Sequence, residues 1–238
     1  IFQENMYQWQ MQSNKDRFGD WFIMDIGSRQ PDSNLTDHIY IEQPVKVSRS
    51  VNVLNDDWQS TGFYVGSFSS EFLAQSHIKL DEGRQPENSG EIAMDWNTLL
   101  TLGYNGEICE SINLKYCDNN SIGNKEKRNT KTYTLVGIYR NYTNIWNNGK
   151  QIPSAVVVNS ELSQFNYDIR SVFLYPIKPS IKTDDYKAVF DSIKEKTSKS
   201  YTYNSGVYDY KPWGSTSIYL YMYLIVMAIG ITALSYQL

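Results

Sequence analysis

Histidine occurs only at 38 and 77 in this chain, and cysteine only at 109 and 117. These are the residue types that supply neutral-pH bases, nucleophiles and soft metal ligands. The two histidines stand alone, so a metal site would have to be built from carboxylates. The adjacent pairs are Asp56-Asp57 and Asp184-Asp185. A hard cation such as Ca²⁺ takes about six to eight oxygens, and such pairs more commonly cap helices or solvate loops. There is no G-x-S-x-G, no H-E-x-x-H and no G-x-x-x-x-G-K-[ST] segment. The chain therefore shows no catalytic constellation, no cofactor motif and no metal motif, and it reads as a protein that is not an enzyme. A membrane-tethered hydrolase with an unfamiliar site stays as a further alternative.

If 109–117 were one strand, the two cysteine Cα atoms would sit roughly 26 Å apart at ~3.3 Å per residue. A disulfide needs them within about 7 Å. A bond would require a turn between them, and the spacing favours two thiols outside a disulfide. Cysteine usage leaves the compartment open.

The other chemically informative stretch is 80–104, LDEGRQPENSGEIAMDWNTLLTLGY. Gly83, Pro86 and Gly90 leave its loop few conformations. Arg84 and Glu91 could pair across it, although an exposed pair contributes little. Glu91, next to a short apolar strand, is placed to accept backbone N–H groups. Gly103 follows an apolar helix, where a left-handed cap position is expected.

The elements around these residues follow from pattern. A helix is expected over 1–15, broken at Arg17-Phe18-Gly19-Asp20, with strands at 20–26, 45–54 and 62–68. In 45–54 the residues Val45, Val47, Val51 and Val53 fall on one face, which predicts a half-buried strand. Proline and an Asp-Ser-Asn cluster predict a helix start in 31–40. Short helices are expected at 69–78, capped by a serine, and at 96–102. Strands are expected at 91–94, 108–116, 132–139, 153–159, 171–177 and 201–203, with an exposed hairpin tip at 117–131. Gly137 inside a strand predicts a bulge or a close approach. Residues 183–199 form a helix with Tyr186, Val189, Phe190 and Ile193 as its apolar stripe. The fold class is α+β: a porter-like subdomain of mixed strands and helices with an inserted β-rich subdomain.

Hydrophobic residues make up 41 % and charged residues 20 % of the 238, a globular balance, and the net charge of −4 argues against a nucleic-acid partner. The 19 tyrosines fit AT-rich codon usage as well as a binding surface. The chain opens on Ile1 and is taken as a piece of a longer protein. Residues 213–238 carry no Asp, Glu, Lys or Arg. Within them Ile218, Leu220, Leu224, Ile225, Val226, Ile229 and Ile231 form an apolar run with no polar stripe. A helix over 218–238 would be about 31 Å long, enough to cross a bilayer core. Trp213 and Tyr219, Tyr221 and Tyr223 suit the interfacial belt. A helix buried in a soluble core is the competing reading.

The segment 80–93, LDEGRQPENSGEIA, resembles the periplasmic core domain of the MacB/FtsX-like ABC permease family. It is followed by a helix ending Leu102-Gly103-Tyr104 and by the strand 133–139, YTLVGIY, in the family's order and at similar spacing. The matching positions are Gly83, Arg84, Pro86, Gly90, Glu91, Gly103 and Gly137. Gly106-Glu107 departs from the family's Gly-Asp. The resemblance implies a domain between the first and second membrane helices of a permease, outside the cytoplasm up to about residue 212. Its organisation would be 1–19 after a preceding span, 20–78 and 149–212 as the porter-like part, 79–148 as the insert, and 213–238 as the start of a transmembrane helix. Implied partners are a cytoplasmic ABC ATPase subunit, a second permease copy, membrane lipid, and an export substrate or extracellular partner protein. The function would be to couple ATP hydrolysis to export or to mechanical signalling outside the membrane. A membrane-anchored binding or adhesion module is the alternative.

Overall fold

Val45–Leu54 forms β2, the strand shared by all parts of the computed structural model, which describes residues 2–117, 128–140, 142–146, 152–165, 169–181, 183, 185–197, 199–209 and 223–227. Val47, Val51 and Val53 are buried on one face, as alternation requires. The second half departs from the half-buried expectation, because every residue from 49 to 54 is buried. Pairing explains this. The first half of β2 lies beside β9 (Arg170–Tyr175), its last residues lie beside β6 (Ser111–Cys117), and β3 (Ser60–Ser67) runs along its other edge.

The ladder continues from β3 to β8 (Ala155–Val156), from β8 to β5 (Glu91–Asp95), from β5 to β7 (Asn129–Tyr139), and from β7 to β6. Since β6 pairs with β2, six strands close into a ring, and a closed ring has no free edge within it. Its interior is apolar: Val51, Val53, Phe63, Val65, Ile92, Leu114 and Leu135 meet there. Leu99 from α4 (Trp96–Thr101) and Leu162 from α5 (Asn159–Leu162) join the same cluster.

The open flank carries β1 (Ile23–Ser28), antiparallel between β9 and β10 (Thr202–Tyr203). The helices α2 (Ser33–Thr36), α6 (Tyr186–Lys194) and α7 (Ser205–Tyr208) pack with it around Phe22, whose ring meets Phe190, Tyr203 and Tyr208 edge-on. A third apolar cluster, with Trp21, Val47, Tyr139 and Trp146, lies where flank and ring meet. With α1 (Phe2–Phe18), α3 (Ser70–Ser76) and β4 (Leu80–Gly83), the fold is α+β.

Local signals were sound where caps and stripes were strong. Ser69 accepts the Phe72 N–H at the start of α3, and Asp185 accepts the Ala188 N–H at the start of α6. Other elements differ from expectation. Residues 80–83 are a strand, not loop; Leu80 is its one apolar residue, so no alternation announces it. The strand over 153–159 shortens to two paired residues and gives way to α5, and the helix over 31–40 shrinks to the single turn of α2. β7 starts at Asn129, inside the stretch expected as a hairpin tip.

Of the apolar tail, Leu224, Ile225 and Val226 lie in the helical stretch 223–227, where every side chain is between 48 % and 64 % exposed. Successive residues of a helix point in all directions, so no face of this stretch is covered. Ile218, Leu220, Ile229 and Ile231 lie outside the described residues. Among the described residues no helix is long and apolar enough to cross a membrane.

Candidate functional site

Six of the seven motif residues meet where β4 crosses β7. Gly83 lies opposite Gly137 in the ladder. Gly83 has φ +74°, and a Cβ on it would press into the Val136 carbonyl oxygen; one on Gly137 would press into that of Arg84. The backbones approach this closely because neither residue has a side chain. Val136 is the extra residue of a bulge, since Leu135 pairs with Ile92 and Gly137 with Ala93. Both the bulge and the close approach expected at Gly137 are present.

The loop leaving Gly83 closes on Glu91. One carboxylate oxygen accepts from the Arg84 Nη1 at 2.8 Å and from the backbone N–H groups of Glu87 and Asn88 at 2.9 and 3.1 Å. The other accepts from the Asn88 amide at 3.2 Å and from the second Arg84 nitrogen. These donors, Arg84 above all, hold the Glu91 carboxyl well below the usual carboxylate range. Pro86 lies inside the loop, and Gln85 accepts from the Tyr139 hydroxyl. At the far end the Gly90 N–H reaches the buried Glu161, which also pairs with Lys131.

The Arg84–Glu91 pair is thus more than a surface ion pair, because the carboxylate also orders two backbone amides. Replacing Glu91 with glutamine is expected to speed hydrogen exchange at the Glu87 and Asn88 amides by about tenfold, with the Ile92 amide unchanged. Equal protection in both proteins would show that the loop holds without the carboxylate. Because the folded pKa is depressed, the clasp persists at neutral and mildly acid pH and is lost only as pH falls through that depressed value.

Gly103 stands apart. It follows α4 at φ +81°, with the Tyr104 N–H on the Leu99 carbonyl and the Gly103 N–H on that of Leu100. That is a Schellman cap, and its role is to end a helix. At the other end of α4, Asp95 is fully buried. It accepts from the Asn97 and Tyr142 N–H groups at 3.1 and 2.9 Å and from the Thr143 hydroxyl at 2.6 Å. Burial, against these hydrogen bonds, pushes its carboxyl up to about 6. In the sequence Asp95 is one of two residues, with Asn97, that could open this helix, and nothing there marks it as buried.

A second constellation holds α1 to the body. Gly19, at φ +83°, sits where a Cβ would come within 2.8–2.9 Å of Trp21, the Ser76 carbonyl and Trp146. The Asp20 N–H donates to Gln75, and the His77 ring nitrogen lies 3.1 Å from the Asp16 carboxylate. The side-chain amide of Asn204 donates to the Gly19 and Trp21 carbonyls at 3.1 and 2.8 Å. Gly206 packs against the Phe18 ring. Three distant segments, 75–77, 146 and 204–206, converge on one turn. The helix break at Gly19 was legible; its partners were not, since no local pattern announces a contact across so many residues.

The other residues first considered for chemistry are dispersed. His38 faces Tyr40, Asp56 pairs with Lys115, and Asp185 caps α6; Asp184 lies outside the described residues. Cys109 is exposed, Cys117 is buried, and neither is in a disulfide. Among the described residues no three His, Cys, Asp or Glu side chains come together as metal ligands would.

No protein-family model matches the chain, and no curated protein is found similar to it. Among solved structures it is similar to the periplasmic region of MacB from Actinobacillus actinomycetemcomitans, at 10 % identity and a TM-score of 0.39 over 83 % of this chain and 95 % of that one. It is also similar to a domain of a protein assigned as a permease from Porphyromonas gingivalis, at 10 % identity and a TM-score of 0.33 over 78 % of this chain and 83 % of that one.

Proposed function

We propose that the chain is an extracytoplasmic domain of an ABC-transporter permease, a non-catalytic part that passes the work of a separate cytoplasmic ATPase to the outside of the membrane. The observation that carries this reading is the joint at Gly19. A domain inserted between two membrane helices must have both ends of its chain leave side by side. Here the end of α1 and the start of α7 are pinned to each other through Asn204 and through Phe18 on Gly206. The uncharged run after residue 212, exposed where it is described, then supplies the second membrane helix, and the span before α1 the first.

On this reading 20–78 and 149–212 are the porter-like part and 79–148 the insert. Strands β2, β3 and β8 of the former close a ring with β5, β6 and β7 of the latter. Parts knit in this way move as one body, so a tilt of α1 carries through to the clasp at Glu91. A second permease copy and an ATPase subunit complete the assembly, with export or mechanical signalling as its output.

Cys109 offers a direct test, because it is exposed while Cys117 is buried. In spheroplasts carrying the full-length protein, a membrane-impermeant maleimide is expected to label the wild type and to label the Cys109→Ser protein less. Labelling of Cys109 that appears only after lysis would place this domain on the wrong side of the membrane and end the proposal.

A further inference from the structure

The joint between α1 and the body encloses a crevice of about 240 Å³. Its floor is apolar and aromatic: Ile78, Tyr142 and Trp146 are buried there, beside Ile145. Its rim is cationic. Arg17 rises from the last turn of α1, Lys79 from the start of β4, and Arg140 from the end of β7, where its N–H bonds to the Lys79 carbonyl. Arg140 already holds Asp81, with two guanidinium nitrogens at 2.8 and 2.9 Å from one carboxylate oxygen, and Asp16 on the rim faces His77. Among the described residues neither Arg17 nor Lys79 has a carboxylate partner. Lys79 and Arg17, whose guanidinium lies 5.2 Å from the centre of the Phe18 ring, therefore stand over an aromatic floor without a carboxylate.

We propose that this crevice binds a small amphipathic anion: a flat apolar body against Trp146 and Tyr142, and one phosphate, sulfonate or carboxylate between Arg17 and Lys79. The volume sets the size, because pockets for drug-sized ligands run from about 300 to 1,000 Å³. Charge complementarity selects the head group, and the floor excludes inorganic anions as sufficient ligands. One wall of the crevice is α1 itself, so an occupant touches both sides of the joint. We commit to a diffusible molecule as the occupant; this choice draws nothing from the proposed function, and a bilayer lipid is the outcome that the nanodisc comparison below would reveal. The binding claim stands on the crevice alone, without that function.

The probe is 2-naphthyl phosphate, measured by equilibrium dialysis against the full chain in phosphatidylcholine nanodiscs, with empty nanodiscs subtracted. Saturable binding with a Kd of about 0.1–1 mM is expected for a ligand of this size. Uncharged 2-naphthol and inorganic phosphate should each bind about tenfold more weakly or worse. Lys79→Glu and Arg17→Glu, both exposed positions, should each weaken binding by about tenfold. Ser13→Trp, which fills the crevice from α1 and replaces no charged residue, should abolish it. Equal binding of 2-naphthol, indifference to both charge reversals, or no saturable binding would overturn the proposal. So would loss of probe binding in phosphatidylglycerol nanodiscs, which would assign the cations to lipid head groups. None of these outcomes bears on the labelling of Cys109.

Discussion

Replacing Gly83 with alanine is expected to cost about 3–5 kcal/mol of stability and to lower the melting temperature by about 10 °C. Two terms add. The residue sits at φ +74°, a region that disfavours any Cβ, and that Cβ would be driven into the Val136 carbonyl oxygen. Backbone is on the receiving side, so no side chain can swing away. Gly137→Ala meets the Arg84 carbonyl in the same way, without the φ term. Gly90 and Gly103 are the controls: both have positive φ, and a Cβ on either meets nothing within 4 Å. Alanine there should cost only about 1–2 kcal/mol. Thermal melts of the four variants separate strain from collision. If all four lost the same stability, the crossing of β4 and β7 would be looser than described.

The second large effect is at Asp95. Alanine there leaves the buried Tyr142 N–H and Thr143 hydroxyl without an acceptor, an expected loss of about 3–5 kcal/mol. The pH dependence is the more telling measurement. The folded carboxyl titrates near 6, above the ordinary value of 3.8. Between those values the folded state holds the proton more tightly than the unfolded chain does. Stability from this group therefore rises as pH falls from about 6 to about 4, by about 3 kcal/mol, and is lowest above 6. Glu91 runs the other way, and its contribution is lost in acid. Comparing wild type with Asp95→Asn in denaturant titrations removes the shared background. Wild type should gain on the variant as pH falls; a constant gap would mean that the hydrogen bonds outweigh burial.

Much of the site was legible because its signals are local. Gly83, Pro86, Gly90 and Glu91 fall within one loop, and Gly137 announced a bulge by being a glycine in an otherwise apolar strand. Residue type and the apolar pattern after it narrowed the helix starts to Ser69 or Ser70, Asp95 or Asn97, and Asp184 or Asp185, and the caps are Ser69, Asp95 and Asp185. What stayed hidden depends on partners far along the chain. β2 alternates in sequence, yet its second half is buried on both faces, because ring closure is a property of six strands and not of one. The joint at Gly19 draws on 75–77, 146 and 204–206, and nothing in Asn204 or Trp146 marks them as belonging to it. β4 escaped for the opposite reason: three of its four residues face solvent, so it has the composition of a loop.

The position of β1 has a consequence for how the protein is made. Its partners are β9 and β10, so Ile23 and Met24 find their neighbours only when residues 172–203 have left the ribosome. At elongation rates of about 5–20 residues per second, that leaves the segment waiting for about 10–30 s. Throughout that interval Trp21, Phe22, Ile23 and Met24, all buried in the finished fold, face water as a bare adhesive strip. Biogenesis of this domain should therefore depend on a holding chaperone during translation more than its final stability would suggest.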